Sequence, residues 1–233
     1  MTITIHPELI QGSDEWIAAR RGLLTASEMK LIITPTLKIA ANDKERAHLY
    51  ELLAQRITGY VEPHYISDDM LRGWNDEVDA RALYAKHYAP VTEVGFVTND
   101  RFGFTIGYSP DALVPEDKEG PGQIEAKSRR QKYQVQTICE SVLGGEVPAD
   151  YLIQHQTGML VTERGWCDFI SFSGGLPMAV IRVRPDPVVQ NAIIEAAGAF
   201  EARLTKRLAD FNEAIAKHKL IPTERKVEQE MFV

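Results

Sequence analysis

Cysteine is scarce in this sequence: Cys139 and Cys167 are the only two in 233 residues. Two thiols cannot build a disulfide framework, nor supply the four thiolates of an iron–sulfur cluster. No apolar run approaches the ~18 residues that cross a bilayer. The opening Met1-Thr-Ile-Thr-Ile-His has no basic segment before an apolar stretch, so no signal peptide is expected. These absences point to a reduced, cytoplasmic protein (in a bacterial or phage-infected cell) with no membrane partner. Positive charge is not in excess either, the net charge being -7. That excludes a simple cationic sleeve around nucleic acid, which needs clustered Lys and Arg to neutralise phosphates. An enzyme with a local basic groove stays open, because net charge speaks to solubility more than to sites. His64, His87, His155 and His218 lack metal-ligand spacing. Repeats, low-complexity tracts and Pro/Gly/Ser linkers are missing too, and one domain over 1–233 is expected.

Hydrophobic residues make up 44% and charged residues 25%, the balance of an ordinary globular chain. At this length folding buries roughly three quarters of the unfolded surface. Residues 1–90 read as mainly helical, packed on a sheet core, with helices over 14–20, 27–33, 43–58 and 71–88. In the last of these Trp74, Val78, Ala82 and Ala85 recur at helical spacing. Strands follow at 91–97 and 102–108 around a turn at 98–101, then at 123–127 after Gly120-Pro121-Gly122. Helices at 131–143 and 149–162, strands at 166–172 and 178–183, and a long helix at 187–217 complete the pattern. The predicted class is α/β (α+β): a central, mostly antiparallel or mixed sheet flanked by helices.

Chemistry concentrates in Ser109-Pro110-Asp111 and Gln123-Ile124-Glu125-Ala126-Lys127. Strand alternation puts Glu125 and Lys127 on one face and Ile124 and Ala126 on the other. Acidic oxygens beside an ammonium suit a hard divalent cation, Mg²⁺ or Mn²⁺ rather than zinc. Partial burial is expected to lower the Lys127 pKa, so that it holds or deprotonates a water. The bare pattern has low specificity, since Pro-Asp occurs twice and Glu-x-Lys four times. A turn aspartate and an exposed strand face fit the same spacing. Of the rival triplets, Glu116-Asp117-Lys118 reads as a solvated tight loop.

Five ordered blocks raise the specificity. Trp16-Ile-Ala-Ala-Arg20-Arg-Gly22-Leu-Leu-Thr25-Ala26-Ser27-Glu28, Arg72-Gly73-Trp-Asn-Asp-Glu77, Ser109-Pro110-Asp111, Glu125-Ala126-Lys127 and Tyr151-Leu-Ile-Gln154-His-Gln156 span most of the chain. Together they resemble the lambda-type exonuclease branch, YqaJ-like phage recombination nucleases, of the PD-(D/E)xK superfamily. The resemblance implies a restriction-endonuclease-like core. Asp111, Glu125 and the Ala126 carbonyl would bind a principal metal ion, and Glu77, four residues past a Gly-centred helix start, would support a second. Lys127 would position or activate the water, and Gln154 would line the site. Arg20, Ser27 and Ser109 match positions that grip a terminal 5′ phosphate, a role that suits a guanidinium fork and hydroxyls. Two Mg²⁺ ions, with Mn²⁺ possible, are implied per site.

The resemblance further implies 5′→3′ digestion of one strand of duplex DNA from its ends, leaving a 3′ overhang. A homotrimeric ring and a single-strand annealing protein as partner are implied too. After Lys127 the sequence departs from the lambda-type pattern, and Arg129 and Arg130 read as DNA-backbone contacts or as an exposed helix start. Two other readings stay open: an endonuclease of the same fold, and an idle DNA-end-binding protein that recruits an annealing partner.

Overall fold

Helices begin where a short polar side chain can accept hydrogen bonds from the unpaired amides of the first turn. In the computed structural model, which describes residues 2–63 and 67–225, Ser13, Asn42 and Ser67 cap α1 (Asp14–Arg20), α2 (Asp43–Thr58) and α3 (Asp68–His87). The short α4 (Gln131–Gln136) runs directly into a π-helical segment, Thr137–Val142, so the helix expected over 131–143 changes its hydrogen-bond period midway. Next come α5 (Ala149–Thr162) and α6 (Pro187–Lys217), the latter capped by Asp186 with Pro187 in its first turn. The helix expected over 27–33 is only a 3₁₀ turn, Met29–Leu31. Gly73 lies in the second turn of α3 rather than at its start, because Ser67 sets the boundary earlier.

The class is mixed α/β as expected, with the strands divided between two four-stranded sheets. The first comprises β1 (Ile3–His6), β2 (Leu24–Thr25), β3 (Phe96–Asn99) and β4 (Ile106–Tyr108), in the order β1-β3-β4-β2 with β2 parallel to β4. The N-terminal ninety residues therefore contribute strands as well as helices. Since Asn99 pairs with Ile106, the expected turn at 98–101 is a longer connection over 100–105. The second sheet is β5 (Ala112–Asp117), β6 (Gly120–Ser128), β7 (Cys167–Phe172) and β8 (Ala179–Val183), in that order. Its middle pair, β6 and β7, is parallel, and the chain crosses between them through α4 and α5.

Strand β5 corrects part of the reading of Glu116-Asp117-Lys118 as a solvated tight loop: Glu116 and Lys118 are exposed as expected, but Glu116 and Asp117 belong to the strand. Asp117 ends an edge strand and pairs with Arg182 at 2.8 Å. The chain reverses at residues 118–119, after which Gly120 takes φ +83.

Two apolar clusters hold the layers. Leu24, Met29, Ile32, Leu52, Ile106, Ile193 and Phe200 seat α2 and α6 against the first sheet. Ala80 and Tyr84 of α3 meet Val114, Ile124, Trp166 and Ile170 of the second. Each Leu, Ile, Val, Met or Phe among them contributes about 1.5–3 kcal/mol when fully buried. Beside this second cluster the Tyr84 hydroxyl donates to Asp168 at 2.6 Å. Arg182 forks onto the same carboxylate and lies 3.6 Å from the centre of the Trp166 ring. Gly122 is required where it stands, since a Cβ there would sit 2.1 Å from Trp166. Helix α3 is thereby fixed to the sheet that carries β6.

Candidate active site

The β5–β6 hairpin assembles the acidic centre. Ala112 pairs with Ile124, so antiparallel register sets Asp111 opposite Glu125, fourteen residues later. Asp111 Oδ2 accepts the Ala126 N–H at 2.5 Å. Pleating sends Ile124 into the apolar cluster with α3 and turns Glu125 to the other face, where it is 3% exposed. There Glu125 Oε1 accepts from Lys127 Nζ at 2.7 Å and from Gln154 Nε2 of α5 at 2.5 Å. Its Oε2 accepts the Tyr108 hydroxyl at 2.6 Å. Four sequence-predicted residues, Asp111, Glu125, Lys127 and Gln154, thus form one cluster.

Its electrostatics favour an added cation. Burial raises the Asp111 carboxyl well above its ordinary value, and the charges of Glu125 and Glu77 raise it further. Glu77 is raised as well, first by burial, with the Arg81 guanidinium opposing and Glu125 adding to the rise. Burial and then Glu125 push the Tyr108 phenol upward. Lys127 corrects the sequence expectation. Burial does pull its pKa down, but Glu125 and Asp111 outweigh burial and leave the ammonium more firmly protonated than usual. Its Nζ accordingly carries a proton and donates to Glu125.

Glu77 approaches from α3, where its Oε1 accepts from Arg81 at 2.9 Å; the same guanidinium donates to the Asp111 carbonyl at 3.2 Å. Among the described residues no three His, Cys, Asp or Glu side chains stand as a ready-made metal cage. Glu125 and Glu77 spend their oxygens on Lys127, Gln154, Tyr108 and Arg81. The donor set nevertheless fits a hard divalent ion: all-oxygen ligands, two of them buried, with repulsion among carboxylates that a cation would relieve. A groove of about 860 Å³, walled by Ile10, Met70, Trp74 and Val78, opens onto Glu77 and Asp111.

A second pocket, about 170 Å³, surrounds Arg20. Its guanidinium donates to Ser109 Oγ and to Thr25 Oγ1, each at 3.3 Å, and lies 4.2 Å from the Trp16 ring centre. Trp16 fixes Ser109 with an indole hydrogen bond of 2.9 Å. Ser27 Oγ stands 3.3 Å from Thr25 Oγ1. Arg20, Ser27 and Ser109 are therefore brought together, and Ser109 is two residues from Asp111. Burial lowers the Arg20 pKa, with Glu28 acting against that shift.

Arg129 and Arg130 separate. Arg130 is exposed and paired with Asp69 at 2.8 Å, whereas Arg129 lies between the Tyr133 and Tyr151 rings and donates to the Tyr151 hydroxyl. His155 lies within α5 and is fully buried, with Nδ1 2.7 Å from the Tyr151 carbonyl. His64 lies outside the described residues. Gln156 serves structure: its amide donates to the Arg184 carbonyl and accepts the Asp186 N–H. Sequence reasoning passes over Tyr108 and Arg81. Arg81 is findable as the i+4 partner of Glu77, while an aromatic inside a strand gives no local sign that it grips a carboxylate.

Comparison with known proteins accords with this geometry. The chain is similar to the alkaline exonuclease LHK-Exo of Laribacter hongkongensis, with 31% identity, a TM-score of 0.74, and coverage of 88% of this chain and 99% of that one. The same relative solved in complex with dAMP matches at a TM-score of 0.75, with equal identity and coverage. A phage related exonuclease from Haemophilus somnus 129PT shares the fold at 14% identity and a TM-score of 0.56, covering 81% of this chain and 96% of that one. No curated protein matches significantly. Among the described residues no helix is long and apolar enough to cross a membrane. The model of the YqaJ-like viral recombinase domain matches residues 15–165, and the chain belongs to that family.

Proposed function

We propose that this protein is an exodeoxyribonuclease that digests one strand of linear duplex DNA in the 5′→3′ direction and leaves a 3′ overhang for recombination by strand annealing. One observation carries the reading: the Ser109-Pro110-Asp111 segment joins the Arg20 pocket to the carboxylate cluster. Two residues of extended chain span ~7 Å. A strand end whose 5′ phosphate rests on Arg20, Ser27 and Ser109 would thus present its next backbone linkage to Asp111 and Glu125.

Asp111, Glu125, the Ala126 carbonyl and Glu77 would hold two divalent ions, Mg²⁺ or Mn²⁺. When bound, such ions neutralise charge on the reacting phosphate, lower the pKa of water and stabilise the leaving oxygen. Lys127, held protonated, donates to a phosphate oxygen or orients the attacking water. Gln154 and Tyr108 keep Glu125 in a single rotamer. Arg20 anchors the end bidentately, which selects termini over internal sites. The relative solved in complex with dAMP lends support, as does the apolar groove beside Glu77. Arg129 and Arg130 contribute contacts to the DNA backbone, Arg130 by exchanging Asp69 for phosphate. A homotrimeric ring and a single-strand annealing partner belong to the same proposal.

The test is digestion of linear duplex with and without EDTA, on 5′-phosphorylated and 5′-hydroxyl ends, beside closed circular DNA. The reading expects metal-dependent loss of one strand from phosphorylated ends and an intact circle. Cutting of the circle would establish an endonuclease instead. Binding of ends without digestion under any divalent metal would leave only a recruitment protein.

A further inference from the structure

The Arg20 pocket contains a carboxylate, which a simple phosphate cradle has no use for. Glu28 Oε2 accepts the Thr25 hydroxyl at 2.6 Å. That bond commits Thr25's only proton, so Thr25 offers lone pairs to Arg20 and has nothing left to donate to a phosphate. It also settles the Thr25–Ser27 contact, since Ser27 must be the donor across their 3.3 Å. On the other side of Glu28 stands His48, 2% exposed and stacked on Phe200. Its Nδ1 is 3.3 Å from Glu51 Oε2, while its buried Nε2 has no hydrogen-bond partner and faces Glu28 Oε2 at 4.0 Å. An unpaired buried ring nitrogen is costly, and here it lies one short side-chain movement from the Glu28 carboxylate.

We propose that Glu28 is a movable counter-charge that sets how tightly Arg20 holds a strand-end phosphate, with Thr25 as its station before the phosphate arrives and His48 Nε2 as its station once it is bound. The proposal rests on the reading of Arg20 as the terminal-phosphate anchor. With Glu28 on Thr25, its negative charge faces the incoming phosphate and weakens the hold. With Glu28 drawn onto His48, whose ring then carries a proton on both nitrogens (the second taken from solvent) so that Nδ1 donates to Glu51 and Nε2 to Glu28, the Thr25 and Ser27 hydroxyls are released to turn toward phosphate oxygens. An exonuclease must let go of each end before gripping the next, and a counter-charge inside the anchor limits over-tight binding. Glu28 and His48 are therefore positioning residues, acting through Thr25 and Arg20.

Binding of 5′-phosphorylated and 5′-hydroxyl duplexes, measured by fluorescence anisotropy at low salt in EDTA, tests this as a ratio of affinities. Glu28→Gln is expected to raise the phosphate preference about tenfold, the scale of removing one like charge near a phosphate at an intermediate dielectric constant. Glu28→Asp, which keeps the charge but withdraws it, raises it less. His48→Phe retains the ring stack and removes the second station, so the preference falls. The double variant Glu28→Gln/His48→Phe then follows Glu28→Gln. The proposal is overturned if the wild type discriminates and Glu28→Gln leaves the ratio unchanged or lowers it, or if His48→Phe moves it upward. A wild type that does not discriminate would instead refute the anchor reading of Arg20, a separate failure visible before any variant is made.

Discussion

Asp111→Asn separates the two demands on the acidic centre. Burial first, then Glu125 and Glu77, raises the Asp111 pKa in the folded protein above the ~3.9 of an unfolded chain. The folded state therefore holds this proton to higher pH than the unfolded state does. The resulting penalty on stability is absent below about pH 4, builds as pH rises toward the folded pKa, and is full above it. A tenfold difference in proton affinity between the two states corresponds to about 1.4 kcal/mol. Asparagine keeps the shape and an amide oxygen for the Ala126 N–H but carries no charge. In EDTA at pH 8 the variant should be more stable by about 1 kcal/mol or more, and melt at least ~2–4 °C higher for a chain of this size. The gap should close only as pH falls to about 4.

Magnesium should reverse the order. At a hundredfold excess over Kd a ligand stabilises by about 2.7 kcal/mol, or ~5–10 °C in Tm, and only the wild type should gain it. Thermal melts monitored by circular dichroism, with and without Mg²⁺ at two pH values, provide the readout. An Asp111→Asn protein that melts lower in EDTA at pH 8, or gains as much from Mg²⁺ as the wild type, would refute the reasoning.

Further expectations concern the neighbours of that cluster. Lys127→Gln should slow digestion by about 10²–10⁴-fold with little loss of end binding, because a positioned proton donor acts mainly in the transition state; single-turnover rates check it. Tyr84→Phe removes the hydroxyl on Asp168 while Arg182 still satisfies that carboxylate, so about 1 kcal/mol of stability should go, seen as a urea midpoint shift at constant m-value. Gly158→Ala would put a Cβ 2.8 Å from both the Tyr108 ring and the Gln123 amide. It should cost about 1–3 kcal/mol by overpacking and lower activity through the displaced Tyr108–Glu125 bond, whereas Gly73→Ala, with open space around it, should cost nothing.

Much of the helical frame was legible, and for a local reason. Asn42 and Asp186 sit within three residues of the amides they cap, so the bounds of α2 and α6 follow from adjacent sequence, whereas the sequence reading passes over the Ser67 cap and expects α3 to start at 71. The strands were read less well, because β1, β2 and β5 are short and hold their place through pairing with distant partners. Asp117 shows the limit: its local sequence does not reveal that it ends a strand and meets Arg182, 65 residues away. Lys127 shows it for chemistry. Burial was foreseeable from its strand, but the two carboxylates that outweigh burial are set around it by the β5–β6 register.

The sequence alone determined which side chains are available to the candidate site and the order in which they come. Residue types and spacing in the five blocks are properties of the linear chain, and strand alternation already put Glu125 and Lys127 on one face. Tertiary structure decided what those groups do to one another. It turned Lys127 into a firmly held ammonium, clasped Glu125 with Tyr108 and Gln154, tied Glu77 to Arg81, and set Glu28 between Thr25 and an unpaired His48 nitrogen. Electrostatic energies depend on separation and dielectric in three dimensions, and neither is written in the spacing of residues along the chain.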